Sequence, residues 1–277
     1  MEWDADFLDR SPLFASLSEH AAPLRHCREW PSREMLQRLI ATSGIVTASG
    51  APLHLVAPEA GQDAYETRIY RDGAMQIREG GWHDLFNVLV WLAYPQAKAA
   101  LNHAHHVAIK TQPQGAGCGP ASQRGRVRDA LTVLDESGAI VASSEPELLE
   151  DVRAFRWKRL FWEHRAEVRR SMRVYLFGHA LLEKALNPYV GVTAHAMLLP
   201  VGLDFITAPV AEQIAEIDRR IAERVPALST PQWLAPLPLL GVPGWWPDNA
   251  REAFYDNAEY FRAGRSAPGR RPHPDAG

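Results

Sequence analysis

Apolar residues recur at helical spacing in several stretches of the chain. Val210, Ile214, Ile217, Ile221 and Val225 form the clearest stripe and predict an amphipathic helix. Ser32 to Ile40 predicts a shorter helix, with Ser32 placed to cap it and Gly44 just past its end. From His83 to about Ala93 the run is apolar nearly all round, the pattern of a buried helix. Pro95 then either kinks that helix or opens a second one reaching Val107. Ser144 and Glu147 have capping-box spacing, and a helical pattern runs from there, with a break near Trp157, to Asn187-Pro188.

Other stretches read as strands. Leu53 to Val56 and His195 to Val201 are short apolar runs. Two hairpins are predicted, Tyr65 to Arg78 around Arg71-Asp72-Gly73, and Asp129 to Ala142 around Glu136-Ser137-Gly138. Hairpins interleaved with helices argue for an α+β fold over a doubly wound parallel sheet. The expectation is a predominantly helical single domain over residues 1–263, with short antiparallel hairpins and a small sheet. Residues 1–30 read as irregular structure or short helices, 111–127 as an exposed Gly/Gln/Pro loop, and 264–277 as a disordered basic tail.

Composition narrows the function classes. With 277 residues the chain can bury a large core without disulfides or metals. Hydrophobic residues make up 46% and Trp occurs 9 times, which excludes a disordered chain. The formal charge of -3 gives no overall footprint for nucleic acid or anionic lipid. Cys27 and Cys118 form no zinc-finger spacing, and no apolar run approaches the ~20 residues needed to span a bilayer. The start of the chain lacks a signal-peptide pattern, so the cytoplasm is the expected compartment.

The informative positions are polar residues where hydrocarbon is expected. His83 and Asn87 share a face of the apolar helix, and Asp84 sits in its first turn, where the helix dipole favours a carboxylate. These residues line a site, or they cap the helix and tie down a neighbouring loop. His179 falls on an apolar stripe running from Val168 through Met172, Tyr175, Leu182 and Leu186, with Glu183 one turn on. His179 and Glu183 can ligate one metal, act as a base with its orienting carboxylate, or form a structural pair. Gly178 just before them leaves room for another backbone or a ligand. Read as a strand, Asp129 and Asp135 share a face with Leu131 and Val133, whereas Glu136 reads as a turn residue.

Other clusters read as solvated. His103, His105 and His106, with Lys98 and Asn102 at helical spacing, fit a solvated helix end. The cations from Arg153 to Arg173 are interleaved with Asp151, Glu163 and Glu167, as on a salt-bridged face. Gln114 to Gly119 lacks the Lys-Ser/Thr of a phosphate-binding loop.

Several of these segments carry a resemblance. Trp82-His83-Asp84-Leu85-Phe86-Asn87, Lys98 to Asn102, Arg128 to Thr132 with Asp135-Glu136, Phe177 to Glu183, and Leu239 to Trp246 resemble the bacterial family known as domain of unknown function 3025. The matching stretches run from about 65 to 262. The resemblance implies one intact family domain and transfers no role to any residue.

Two functions compete, ahead of a third, a nucleic-acid or nucleotide binder using the arginine-rich helix, which the mixed charge and acidic balance disfavour. One is an enzyme with His83, Asp84, Asn87, Asp129, His179 and Glu183 lining a pocket suited to hydrolysis or group transfer, with a divalent metal as the candidate cofactor. The other is a non-catalytic binding or assembly protein, in which the polar residues form a structural network and Trp233, Trp245 and Trp246 offer a partner surface. A small-molecule or protein partner is favoured over nucleic acid, and no membrane partner is expected.

Overall fold

The computed structural model describes residues 2–58, 65–111 and 123–264. The 111–127 loop with Cys118 and the 264–277 tail lie largely or wholly outside the described residues. The N-terminal 30 residues form short 3-10 turns and α1 (Ser18–Ala21), packing Phe7, Phe14, Leu17 and Leu24 into the core. Then follow α2 (Arg33–Ser43), β1 (His54–Val56), α3 (Tyr65–Asp72), β2 (Ala74–Gln76), α4 (Trp82–Ala93), α5 (Pro95–Lys110) and α6 (Gln123–Ser137). The second half holds β3 (Gly138–Ser143), α7 (Pro146–Arg153), α8 (Arg165–Ser171), β4 (Met172–Leu176) and α9 (His179–Ala185). It ends with β5 (Thr193–Pro200), α10 (Leu203–Thr207), α11 (Val210–Arg224) and β6 (Ala235–Pro238).

The principal sheet has the order β4-β3-β5-β6, with β3 and β5 parallel and both outer pairs antiparallel. β3 is buried along its whole length, as expected of a central strand. Its apolar run Ala139 to Ala142 pairs with Arg173 to Leu176 on one side and with Ala196 to Leu199 on the other.

Several predicted helices form for the predicted reasons. Ser32 Oγ accepts from Met35 N at 3.3 Å at the start of α2, and Gly44 closes the helix at φ 65°. Pro95 opens a new helix and does not kink the old one. The free amides of that first turn are capped from a distance, since Asp218 on α11 accepts from Gln96 N at 3.1 Å and Ala97 N at 2.7 Å. Ile214, Ile217 and Ile221 bury the middle of the predicted stripe on α11, Val225 is buried just past the helix, and Val210 at its start is exposed. α4 is buried almost throughout and forms the centre of the helical layer.

Both hairpin predictions are overturned. Tyr65–Asp72 is helical, and Gly73 (φ 73°) ends that helix where a hairpin turn was expected. Its strand β2 instead pairs in parallel with β1. Residues 123–137 are likewise a helix, because Ala130, Leu131 and Leu134 bury one helical face that the Leu131/Val133 alternation had masked. The long helix expected between Ser144 and Asn187 is broken by β4, which joins the sheet at residues 172–176. Its capping box does not form either. α7 starts at Pro146, and Ser143 Oγ accepts from Glu145 N at 3.0 Å. The α+β class, predominantly helical with small sheets, stands.

The Pro/Trp-rich C-terminal stretch is a strap over the core. Asn249 is buried and donates to Leu240 O and Val242 O at 2.8 and 2.7 Å. Arg165 holds it from α8 through Asn249 O at 2.9 Å. Trp233, Trp245 and Trp246 are partly buried against the core. Among the described residues no helix is long and apolar enough to cross a membrane.

Candidate functional site

Four helices converge on one polar centre. α4 supplies His83, Asp84 and Asn87, α5 supplies Lys98 and Asn102, α6 supplies Asp135 and Glu136, and α9 supplies His179 and Glu183. Close backbone approach brings α9 to α6. A Cβ on Gly178 would lie 2.5 Å from Glu136 O, Ser137 N and Gly138 N, so only glycine fits there without displacement. Gly178 N donates to Gly138 O at 2.8 Å, which fixes His179 as the first residue of α9 beside the last turn of α6. The room expected at Gly178 is thus filled by backbone.

The two histidines meet edge to face, with Nε2 to Nε2 at 3.1 Å. His83 Nδ1 lies 3.2 Å from Glu183 Oε2, so Glu183 backs His83 across the helix interface. His179 Nε2 lies 3.6 Å from Glu136 Oε2, and His179 Nδ1 lies 3.9 Å from Asp135 Oδ2. Asp135 is ion-paired with Lys98, whose ammonium sits 5.6 Å from the Trp91 ring centre. His179 is the buried floor of the cluster, with 4% of its side chain exposed, whereas the side chains of His83, Glu136 and Glu183 are 35 to 42% exposed.

With both rings neutral, the hydrogens cannot satisfy every neighbour. If His83 Nδ1 donates to Glu183, its Nε2 carries a lone pair. His179 must then choose. A proton on its Nε2 bonds to His83 but leaves a bare Nδ1 facing the Asp135 carboxylate. A proton on Nδ1 suits Asp135 but leaves two Nε2 lone pairs 3.1 Å apart. In the structure His179 Nδ1 is buried without a hydrogen-bond partner. Burial holds the His179 imidazole near pKa 4, so double protonation of His179 is no escape at neutral pH.

A divalent cation between the two Nε2 atoms satisfies both rings, as does a second proton on His83. His83, Glu136 and His179 each offer a ligand atom, all within 4.8 Å of one another. Two nitrogens on one zinc, each about 2.0–2.1 Å from it, stand roughly 2.9–3.4 Å apart, which brackets the observed pair. Both outward Nδ1–H groups would then face carboxylates, in the carboxylate–histidine–metal arrangement.

The remaining sequence candidates divide. Asp84 accepts from Arg78 N at 2.7 Å and Arg78 Nε at 3.0 Å, fixing the loop before α4. Asn87 is buried and donates to Tyr65 Oη at 3.2 Å. Asp129 is not brought to the centre. On a strand it shares a face with Asp135, but on the helix six residues turn it away, and it is exposed. Glu136, expected in a turn, instead stands beside His179. Glu183 contacts His83 and not its helix neighbour His179, so the expected i,i+4 metal pair is rearranged.

The histidine stretch of α5 also departs from expectation. Lys98, Asn102, His105 and His106 are buried, and only His103 faces solvent. The ladder that reads as a solvated helix end packs against α3, where His106 stacks on Tyr70 with centroids 4.1 Å apart. The first part of the arginine-rich stretch is committed to ion pairs, and Arg165 and Arg173 donate chiefly to backbone carbonyls. Arg156, Arg159 and His164 surround Asp151, and Lys158 pairs with Glu252 and Asp256.

The molecule is thus a single-domain α+β protein with a two-histidine, carboxylate-rich cluster at the junction of four helices. It belongs to the family described as Protein of unknown function (DUF3025), which matches residues 53–265. No curated protein and no solved structure matches the chain.

Proposed function

We propose that this protein is a metal-dependent enzyme of the hydrolase or transferase type, with His83 Nε2, His179 Nε2 and Glu136 Oε2 as its protein ligands. The observation that carries the reading is the pair of imidazole Nε2 atoms 3.1 Å apart, each ring backed by a carboxylate. With neutral rings a structural pair needs one Nε2 to donate to the other, and that leaves His179 Nδ1 bare beside Asp135. Three protein ligands with an open side toward solvent is the arrangement of catalytic zinc sites, where the ion acts as a Lewis acid and activates water. Glu183 and Asp135 orient the two rings. Lys98 holds Asp135, and Asp84 anchors the loop at the mouth through Arg78. The competing binding-protein reading has less support, because the tryptophans that would form its surface are partly turned into the core.

Elemental analysis of the untagged protein tests the proposal, with His179→Ala as the comparison. The expected result is about one divalent ion per chain in the wild type after dialysis against zinc, manganese or ferrous iron, and none in the variant. Wild-type protein that retains none of the three ions sinks the proposal.

A further inference from the structure

We infer that Glu66 is the proton store of this site: a divalent cation arriving between His83, His179 and Glu136 drives the Glu66 carboxyl to release its proton. The inference rests on the metal reading above and extends it to a residue on another element. α3 lays Glu66 beside α5, where Asn102 Nδ2 donates to Glu66 O at 2.9 Å and to Oε2 at 2.6 Å. The carboxyl end faces a cavity of about 10 Å³ bounded by Tyr65, Glu66, Lys98, Asn102, His105 and Asp135. That volume admits one water.

The cavity is built to hold a hydrogen-bonding molecule. Asn102, 3% exposed, has a buried Oδ1 with no hydrogen-bond partner. Lys98 carries three donors, and one of them serves Asp135. A water there can donate to Asn102 Oδ1 and Glu66 while accepting from Lys98. Asp135 closes the far wall, and its other oxygen faces His179 Nδ1 at 3.9 Å. Glu66, the cavity, Asp135 and His179 therefore lie in one polar row, whose last step, from Asp135 to His179, is an electrostatic contact and not a hydrogen bond.

The charges around Glu66 set the direction of the coupling. Burial first, then the Asp135 carboxylate, push its carboxyl up to about 7, while the Asn102 hydrogen bond and Lys98 act against them. Burial holds His105 near 4, so it is neutral at pH 7, and burial pushes the Tyr65 phenol well upward, so it stays protonated. A dication on His179 offsets the Asp135 field, which favours the Glu66 carboxylate. The carboxyl O–H bond breaks, its electron pair stays on the oxygen, and the proton leaves through the cavity water to the buffer.

Calorimetric zinc titrations in buffers of different ionisation enthalpy count the protons released per ion. At pH 7 wild type should release about half a proton more than Glu66→Gln, and the two should agree at pH 9, where Glu66 is already ionised. The amide keeps an acceptor for Asn102, so the variant is expected to fold and to bind zinc. Infrared difference spectra of the zinc-free protein add a direct readout. A protonated-carboxyl band should fade with a midpoint near pH 7 in wild type and be missing from Glu66→Gln. Zinc binding with equal proton counts in both proteins overturns the linkage alone. Zinc binding by neither brings down the metal site and this inference together.

Discussion

Two buried charge clusters sit in this molecule, and they solve the burial problem in opposite ways. Asp151 is fully buried and ringed by cations, although neither carboxylate oxygen has a partner in hydrogen-bond geometry. Arg156 Nε lies 2.7 Å from one carboxylate oxygen, and His164 Nδ1 at 3.2 Å and Arg159 Nε at 3.6 Å attend the other. The cluster fastens the end of α7 to the π-helical turn Arg159–Glu163, just after Phe155 with its positive φ of 57°. Around His179 the carboxylates of Asp135, Glu136 and Glu183 outnumber the single Lys98, and two imidazole nitrogens compete for one proton. Burial of polar residues does not separate a site from a structural lock. What separates them is the company each keeps, since cations surround Asp151 whereas the His179 cluster gathers carboxylates and imidazole nitrogens close enough to share one cation.

That contrast predicts a double dissociation. Asp151→Ala strands the cations around it, and removing one partner of a buried ion pair costs about 3–5 kcal/mol. The partly exposed arginines can turn to solvent, which puts the expected loss near 3 kcal/mol in urea unfolding. Metal content should not change. His179→Ala should do the reverse, losing the ion with a smaller loss of stability in the metal-free protein. If Asp151→Ala also strips the metal, the two clusters are one unit and the distinction fails.

How far the sequence carried this contrast depended on periodicity. α2, α4, α5, α11 and β5 were legible because their apolar positions repeat over enough residues to fix one period. α3 and α6 were not. Asp72-Gly73 satisfies a hairpin turn and a helix C-terminus equally well, since both need a residue at positive φ. Leu131 and Val133 alternate like a strand, while the decisive buried trio is Ala130, Leu131 and Leu134. That single misread period brought Asp129 into the expected site and sent Glu136 to a turn. β4 was hidden for the converse reason, because Val168, Met172, Tyr175 and His179 match helical spacing although a strand and a turn intervene. His83 and His179 were visible as polar residues in apolar runs. Their meeting, 96 positions apart, required the close approach at Gly178 that no local pattern encodes.

Acid should reach the histidine side of the molecule through His105, which lies in the wall behind Asp135. Burial holds His105 near 4, below its ordinary 6.5, so the folded state binds this proton more weakly than the unfolded chain. Its contribution to stability is therefore complete above pH 6.5 and is lost as pH falls toward 4, by up to about 3 kcal/mol. Glu66, pushed upward, acts with the opposite sign between roughly 4.5 and 7, and His179, also held near 4, acts with the same sign as His105, so the wild-type curve alone mixes all three. The difference between wild type and His105→Gln isolates His105. Acidification from pH 7 to pH 4.5 should cost the variant about 2 kcal/mol less stability than it costs wild type, read from urea unfolding. Parallel curves would mean that this ring is free to protonate in the folded protein.

The smallest expected effect is the most discriminating for the ligand assignment. Glu183 is half exposed, contacts His83 Nδ1 and lies outside the proposed ligand set. Glu183→Gln removes the carboxylate but leaves a side chain of the same length that can still accept from Nδ1–H. Metal affinity should fall about 10–100-fold, the usual consequence of losing an outer carboxylate behind a ligating histidine. Stability without metal should barely change, because an exposed pair contributes little. Glu136→Gln, by contrast, should abolish stoichiometric binding, since an amide is a poor replacement for a ligating carboxylate. If the two variants exchange behaviours, Glu183 is the ligand and Glu136 the orienting group. The site would then read as His83, His179 and Glu183, with the α9 helix supplying two ligands four residues apart and α6 none.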